Sequence, residues 1–179
     1  MPTVPYFLTT ARLGFRLWRA EDVDLAVALW GDPAVARYLH ADGPLPRAAV
    51  VERLAREIAT QEEHGFQYWP VFWREGGAHV GCCGLRPYRP VEGVHELGVH
   101  LRPAFWGRGL AQEAGVAVRD YAFGQLRARG LLAGHHPANV ASSAMLRKLG
   151  FRYTHDELYA PTGLHHPSYL LTIEQGPAS

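Results

Sequence analysis

Between Val94 and Tyr121 the apolar side chains change period almost without a pause. Val94-His-Glu-Leu-Gly-Val-His-Leu101 alternates as a strand with two unlike faces does. A short link follows, and then Leu110, Ala114, Ala117, Val118 and Tyr121 recur on one side of a helix. The link ends in Trp106-Gly-Arg-Gly109, two glycines one residue apart. Strand, glycine turn and amphipathic helix in that order demand a sheet with a helix folded back onto it. They also leave bare backbone at the helix start. A helix N-terminus carries unpaired N–H groups and the positive end of the dipole. Glycines let a phosphate oxygen reach those groups with no Cβ in the way. Gly107, Arg108, Gly109, Leu110 and Ala111 thus offer a ring of donors to a diphosphate, and Arg108 adds a charge. A tight turn that needs glycine only for positive φ accounts for the same residues with no ligand, and both readings stay open at this point.

Other phosphate-binding patterns fit poorly. A dinucleotide fingerprint needs a third glycine and a later acidic residue, where this chain has Gln112 and Arg127. A Walker loop needs a Gly-Lys pair, and the only lysine, Lys148, lies far away in another segment.

The rest of the chain reads as mixed α/β around a central sheet. Phe15 to Arg19 alternates like a strand, and Asp22 is placed to cap a helix bearing Leu25, Ala28 and Leu29. Gly31 to Pro46 reads as loop or broken helix. Arg47 to Glu63 predicts a helix with Val50, Leu54 and Ile58 on one stripe. Gln67 to Trp73 and His79 to Leu85 are strands joined at Glu75-Gly-Gly77. Leu131 to Ala133 is a short buried strand, and Asn139 to Leu149 is a helix ended by Gly150. Phe151 to Tyr159 and Ser168 to Thr172 close the sheet. One domain spanning 1–179 is expected.

Composition excludes several classes. With 47% hydrophobic and 20% charged residues the chain is neither disordered nor fibrous. A formal charge of +1 gives no reason to expect nucleic acid as a partner. The opening MPTVPYFLTT lacks a leader pattern, and no apolar run approaches a membrane span, so a cytoplasmic location and no membrane partner are expected. Cys82 and Cys83 are strand neighbours that point to opposite faces, which predicts two reduced, buried thiols.

The run Glu96 to Ala114, ELGVHLRPAFWGRGLAQEA, resembles the acetyl-CoA-binding segment of the GNAT superfamily of N-acetyltransferases. In the superfamily pattern [Q/R]-x-x-G-x-[G/A], Trp106 takes the first position, Gly109 the fourth and Ala111 the sixth. Tryptophan there departs from the general pattern but is usual in the branch similar to ribosomal-protein N-terminal-alanine acetyltransferases. A second match, Pro137-Ala-Asn-Val-Ala-Ser-Ser-Ala-Met-Leu-Arg-Lys-Leu-Gly-Phe151, resembles that branch's P-x-N-x-x-S-x-x-x-L-x-K-x-G-F. Ala11 to Asp22 and Gly31-Asp-Pro33 are similar to its first strand and turn.

The resemblance implies an α/β (α+β) fold with a mixed, mostly antiparallel sheet of about seven strands. It implies about four flanking helices and one parallel pair that splays between the strand ending at Leu101 and that at Leu131. It implies acetyl-CoA as cosubstrate, with its arm against the backbone near Val99 and Leu101, its diphosphate at Trp106 to Ala111, and Asn139 beside the arm. No metal is expected. The paired histidines His135-His136 and His165-His166 read as rim residues, because adjacent strand histidines diverge. The implied acceptor is a primary amine, either a small molecule or a peptide N-terminus; a homodimer is left open.

Acetyl transfer to an amine needs a base and a proton for the departing thiolate. Glu96 is the leading base, since alternation puts Glu96, Gly98 and His100 on one strand face. His95 is its rival, because a bulge would exchange the faces, and a water chain is a third route. Many superfamily members carry a tyrosine seven residues after the asparagine, where this chain has Leu146. The acid role then passes to Ser142, with Tyr153 and Tyr159 in reserve. Loss of that tyrosine also motivates an alternative, a non-catalytic coenzyme A-binding sensor of the same fold. The aromatic strand Tyr68 to Trp73 reads mainly as core, with one face beside Tyr38 and Leu39 bordering an acceptor pocket.

Overall fold

A computed structural model describes residues 5–175; residues 1–4, which begin the stretch read above for a leader, and 176–179 lie outside the described residues. Eight strands make one sheet: β1 (Leu8–Thr9), β2 (Leu13–Phe15), β3 (Tyr68–Trp73), β4 (His79–Arg89), β5 (Val94–Leu101), β6 (Gly130–Gly134), β7 (Arg152–Tyr159) and β8 (Leu164–Thr172). Their order is β1-β2-β3-β4-β5-β6-β8-β7, with β5 and β6 parallel and every other neighbouring pair antiparallel. Five helices accompany it: α1 (Val23–Trp30), α2 (Pro33–Ala36), α3 (Arg47–His64), α4 (Leu110–Gly124) and α5 (Val140–Lys148). The mixed, mostly antiparallel architecture matches the expectation, with one more strand and one more helix. The additions are the two-residue β1 and the single-turn α2, both too short to show a period. α2 forms because Asp32 Oδ1 accepts from the Ala34 N–H at 2.8 Å and Pro33 fills the first helical position.

Each sheet face carries its own apolar layer. On one, α4 and α5 set Leu110, Ala114, Val118 and Leu146 against Leu85, Leu97 and Leu131. On the other, α1 and α3 set Leu29, Trp30, Val50 and Leu54 against Tyr68 and Cys82. Cys83 belongs to the first layer and Cys82 to the second; both thiols are buried and free. Burial pushes the Cys82 thiol up to about 12 and the Cys83 thiol well above its ordinary value.

Two sequence expectations need correction. The strand expected over Phe15–Arg19 is β2, and it spans Leu13–Phe15 instead. Arg16 would pair with Pro70; its N–H reaches the Pro70 carbonyl at 3.4 Å, but proline has no N–H to return. The chain therefore leaves the ladder, and the Trp18 N–H bonds the Gln67 side chain instead. Asp22, placed at the start of α1, makes no capping bond there. Its carboxylate takes the buried Arg16 guanidinium at 2.6 and 2.9 Å and the Arg19 N–H at 2.8 Å.

The parallel pairing of β5 with β6 covers Val94↔Gly130, His95↔Leu131 and Glu96↔Leu132, then stops. β5 continues to Leu101 against β4 alone, while β6 stays with β8 as far as Gly134↔Ser168. The sheet thus opens after Glu96, on the side where α4 begins.

Candidate active site

Two cavities meet at this opening. One, of about 380 Å³, is lined by Val99, Leu101, Trp106, Gly109, Ala111 and Met145, among others. The second, of about 290 Å³, is lined by Glu96, Gly98, Tyr68, Arg53, Arg86 and Tyr159, among others. Tyr38, Leu39, Val99, His100, Asn139 and Ser142 form the wall common to both.

The first cavity ends at the tip of α4. Gly109 takes the N-cap position at φ +73° and Gly107 lies at φ +71°, so the turn itself favours glycine at both places. Among the described residues no carbonyl or side chain accepts from the N–H groups of Gly107, Arg108, Gly109, Leu110 or Ala111. An added Cβ at Gly107 meets nothing, and at Gly109 only Arg12 at 3.9 Å, so the space over these amides is open. Five free donors at a positive helix end fit an anionic diphosphate in number and sign. The turn is braced from behind: Arg12 Nη1 donates to the Arg108 carbonyl at 3.0 Å, and Arg12 Nε donates to Glu113 of α4 at 2.7 Å. Trp106 donates its indole N–H to the Leu101 carbonyl at 2.8 Å, which fixes the end of β5 and occupies that carbonyl.

At the shared wall, Asn139 caps α5, its Oδ1 accepting from the Ser142 N–H at 3.4 Å. Both side chains line both cavities. Leu146 is 2% exposed and lies in the core, so this residue offers no proton to the cleft. Of the reserve tyrosines, Tyr159 lines the second cavity, while Tyr153 is exposed and bonded to Asp156.

The second cavity contains the β5 face read from alternation. Glu96 Oε1 accepts from the Tyr68 hydroxyl at 3.3 Å. Burial raises the Glu96 carboxyl above its ordinary value, partly opposed by Arg86 and the Tyr68 bond. Gly98 is needed for close approach: a Cβ there would fall on the Tyr68 hydroxyl. The only irregularity between β4 and β5 lies at Pro87/Arg89 of β4, so β5 keeps its faces. His95 accordingly points away from Glu96 and packs on Phe66 at 4.6 Å.

Sequence reasoning missed three residues. His100 appeared only as a member of a face. Its Nδ1 accepts from the Trp30 indole at 3.2 Å; since an indole only donates, the proton of the neutral ring sits on Nε2. Burial, with Arg53 and Arg86 nearby, holds the imidazole well below its ordinary value. Arg86 stacks over the Tyr68 ring at 4.3 Å and donates to Glu57 Oε1 at 3.1 Å. Arg53 projects from α3 into the same cavity. The signal for Arg53 and Glu57 was their place on the buried stripe of α3, where a charge needs a partner.

Two segments that supply lining residues to the second cavity, Tyr38 and Leu39 from one and Tyr159 from the other, are joined beside it. The Ala41 N–H, in the α2–α3 loop, donates to the Pro161 carbonyl in the β7–β8 turn at 2.9 Å. Tyr38 packs on His136 at 5.4 Å, and Tyr159 on His166 at 4.7 Å. His135, His136 and His166 therefore line the cavity, while His155 and His165 do not. Among the described residues no group of three His, Cys, Asp or Glu is placed to hold a metal ion. No helix among them is long and apolar enough to cross a membrane.

A mixed sheet whose single parallel pair parts beside a glycine-started helix is the architecture of N-acetyltransferases. A GNAT-family acetyltransferase from Bacillus anthracis superposes with a TM-score of 0.80 at 19% identity, covering 93% of this chain and 98% of that one. RimL, a ribosomal-protein α-N-acetyltransferase in complex with coenzyme A, superposes with a TM-score of 0.80 at 16% identity, over 96% and 99% of the two chains. The family model for the acetyltransferase (GNAT) domain matches residues 12–152, and the chain belongs to that family. Its relatives include the uncharacterized N-acetyltransferase p20 of Bacillus licheniformis, 28% identical over 146 residues, 81% of this chain and 82% of the relative.

Proposed function

We propose that this protein is an acetyl-CoA-dependent N-acetyltransferase whose acceptor is the primary amine of a small molecule, acting in the cytoplasm. The observation that carries the reading is the pair of cavities with a common wall, one ending in five free amides and the other holding Glu96. Gly107, Arg108, Gly109, Leu110 and Ala111 would hold the diphosphate of acetyl-CoA, with Val99, Leu101, Trp106 and Asn139 along its arm. When bound, acetyl-CoA supplies an acetyl group activated as a thioester. Glu96, its carboxyl raised by burial, takes a proton from the amine, so that the neutral nitrogen attacks directly. Ser142, at the shared wall, donates a hydrogen bond toward the leaving sulfur. The Ala41–Pro161 bond ties together the two segments that supply Tyr38, Leu39 and Tyr159 to the acceptor cavity, and this favours a small molecule over a peptide chain. The tie between these two segments is what tips the choice.

The test has two parts. Acetyl-CoA is titrated against thermal unfolding of the full chain; a ligand bound by the native state raises Tm by mass action. Free-thiol release is then followed with a panel of small amines and of peptides with free N-termini. A Tm rise with thiol release on small amines is expected. No shift at millimolar acetyl-CoA refutes the cofactor assignment. A shift with no transfer to any amine makes the protein a coenzyme A-binding sensor instead.

A further inference from the structure

Arg53 lies on the cavity face of α3, is 7% exposed, and lines the acceptor cavity. No hydrogen bond or ion pair engages its guanidinium among the described residues, and Nε and Nη2 are buried without a partner. The carboxylate that acts on it, Glu57, is already committed. Glu57, one turn further along α3, gives Oε2 to the Tyr68 N–H at 2.9 Å and Oε1 to Arg86. Glu96 Oε1 takes the Tyr68 hydroxyl. Trp30 stacks under the guanidinium at 4.2 Å, which offsets part of the cost of burial but supplies no acceptor for the in-plane N–H groups. A buried arginine without an anion is costly enough that such groups are nearly always paired. Its field is felt around it: after burial itself, Arg53 is the next cause depressing both His40 and His100.

The same cavity also holds carboxylates. Glu96 and Glu157 both line it, close enough for Glu157 to raise the Glu96 carboxyl further. A molecule occupying this space meets carboxylates, an Arg86 already paired with Glu57, and one unpaired guanidinium, that of Arg53.

We infer that the acceptor amine carries its own oxyanion, as an amino acid or aminophosphonate does, and that Arg53 is the side chain that binds it. This rests on the acceptor cavity proposed above. The amine is directed to Glu96, while the carboxylate or phosphonate supplies the acceptors that Arg53 lacks. Arg53 then selects the substrate and takes no part in the proton transfers. The cavity of about 290 Å³ suits a molecule of amino-acid size. A polyamine, positive along its length, would bring a second cation to Arg53 and is rejected.

The experiment compares matched pairs on the full chain. In transfer assays each amino acid is set against its decarboxylated amine, and each aminophosphonate against its parent amine. In a binding arm without turnover, N-acetylated amino acids and their methyl esters are compared as Tm-raising ligands. Transfer and binding should favour the anionic member by roughly tenfold to a hundredfold, the scale of one charge-assisted hydrogen-bonded contact. Arg53→Gln should erase the preference, and Arg53→Lys should keep part of it. Both should retain the Tm rise with acetyl-CoA, because Arg53 does not line the first cavity. Equal or better use of the uncharged members, or best transfer to peptides or polyamines, overturns the inference. Should the variants fail to fold, the wild-type pairs decide alone. Should no amine be acetylated, the binding arm still reads Arg53, so the two readings fail separately. The phosphonate arm shows which oxyanion is preferred.

Discussion

Tyr68→Phe isolates one hydroxyl. In the native structure that hydroxyl donates to Glu96 Oε1 at 3.3 Å, while the ring lies beneath Arg86 and beside Gly98. Phenylalanine keeps the ring and its contacts and removes only the donor. A hydrogen bond to a charged group contributes about 1.5–3 kcal/mol, and the long separation places this one near the lower end. At 1.36 kcal/mol per pKa unit, about 1.5 kcal/mol corresponds to a shift of about one unit. The sign follows from which form the bond favours. Tyr68 stabilises the ionised carboxylate, so its loss raises the Glu96 carboxyl further above its ordinary value. A reaction that needs ionised Glu96 then gains its activity at higher pH. The assay is kcat/KM for acetyl transfer as a function of pH, wild type against Tyr68→Phe, with the Glu96 carboxyl followed by carbon-detected NMR. The acid limb and the NMR titration should both move up by about one unit, with the alkaline plateau little changed. An NMR shift with an unmoved acid limb would show that Glu96 is not the base, and an unmoved NMR titration would refute the hydrogen-bond argument itself.

Three further outcomes are expected. Gly109→Ala places a side chain at φ +73°, costing roughly 1–2 kcal/mol, and should lower Tm by several degrees and weaken acetyl-CoA binding measured by calorimetry. Because the strain exists without ligand, only a loss of affinity beyond the loss of stability supports the diphosphate cradle. Asp22→Ala leaves the buried Arg16 guanidinium without its carboxylate and should cost about 3–5 kcal/mol in chemical denaturation; a loss under about 1 kcal/mol would show that water replaces the pair. Glu113→Gln weakens the tie between Arg12 and α4, by about 1 kcal/mol once its partial exposure to solvent is allowed for. Although burial alone would raise the Glu113 carboxyl, Thr10 and Arg12 hold it below its ordinary value of 4.5. Its stabilisation is therefore full above that value and fades as pH falls through the lowered one, so the Tm difference from wild type should close under acid.

How far the sequence could be read depended on whether a single period governed the segment. β5 was legible to its ends, because an alternating run bounded by Gly93 and Pro103 admits one register. The free edge beyond Glu96 was not read from that pattern; it came with the family resemblance, since parallel pairing leaves no mark on either strand alone. In α3 the stripe Val50, Leu54 and Ile58 located the helix but concealed Arg53 and Glu57 beside it. A helical period marks which face is covered, not whether a charge on that face has a partner. Tyr68 sat within an aromatic strand whose composition says core, and its hydroxyl became visible as a site group only when Gly98 and Glu96 were brought beside it. The contact between Ala41 and Pro161 joins segments far apart in sequence through backbone atoms alone, and side-chain chemistry carries no trace of such a bond.

Cys82 and Cys83 give the two sides of the sheet separate chemical labels. Each thiol is sealed beneath a different set of helices, Cys82 under α1 and α3 and Cys83 under α4 and α5. A thiol reagent supplied during slow denaturation should modify first whichever cysteine is uncovered first. Peptide mapping of the adjacent pair would then give the order in which the α1–α3 side and the α4–α5 side come apart.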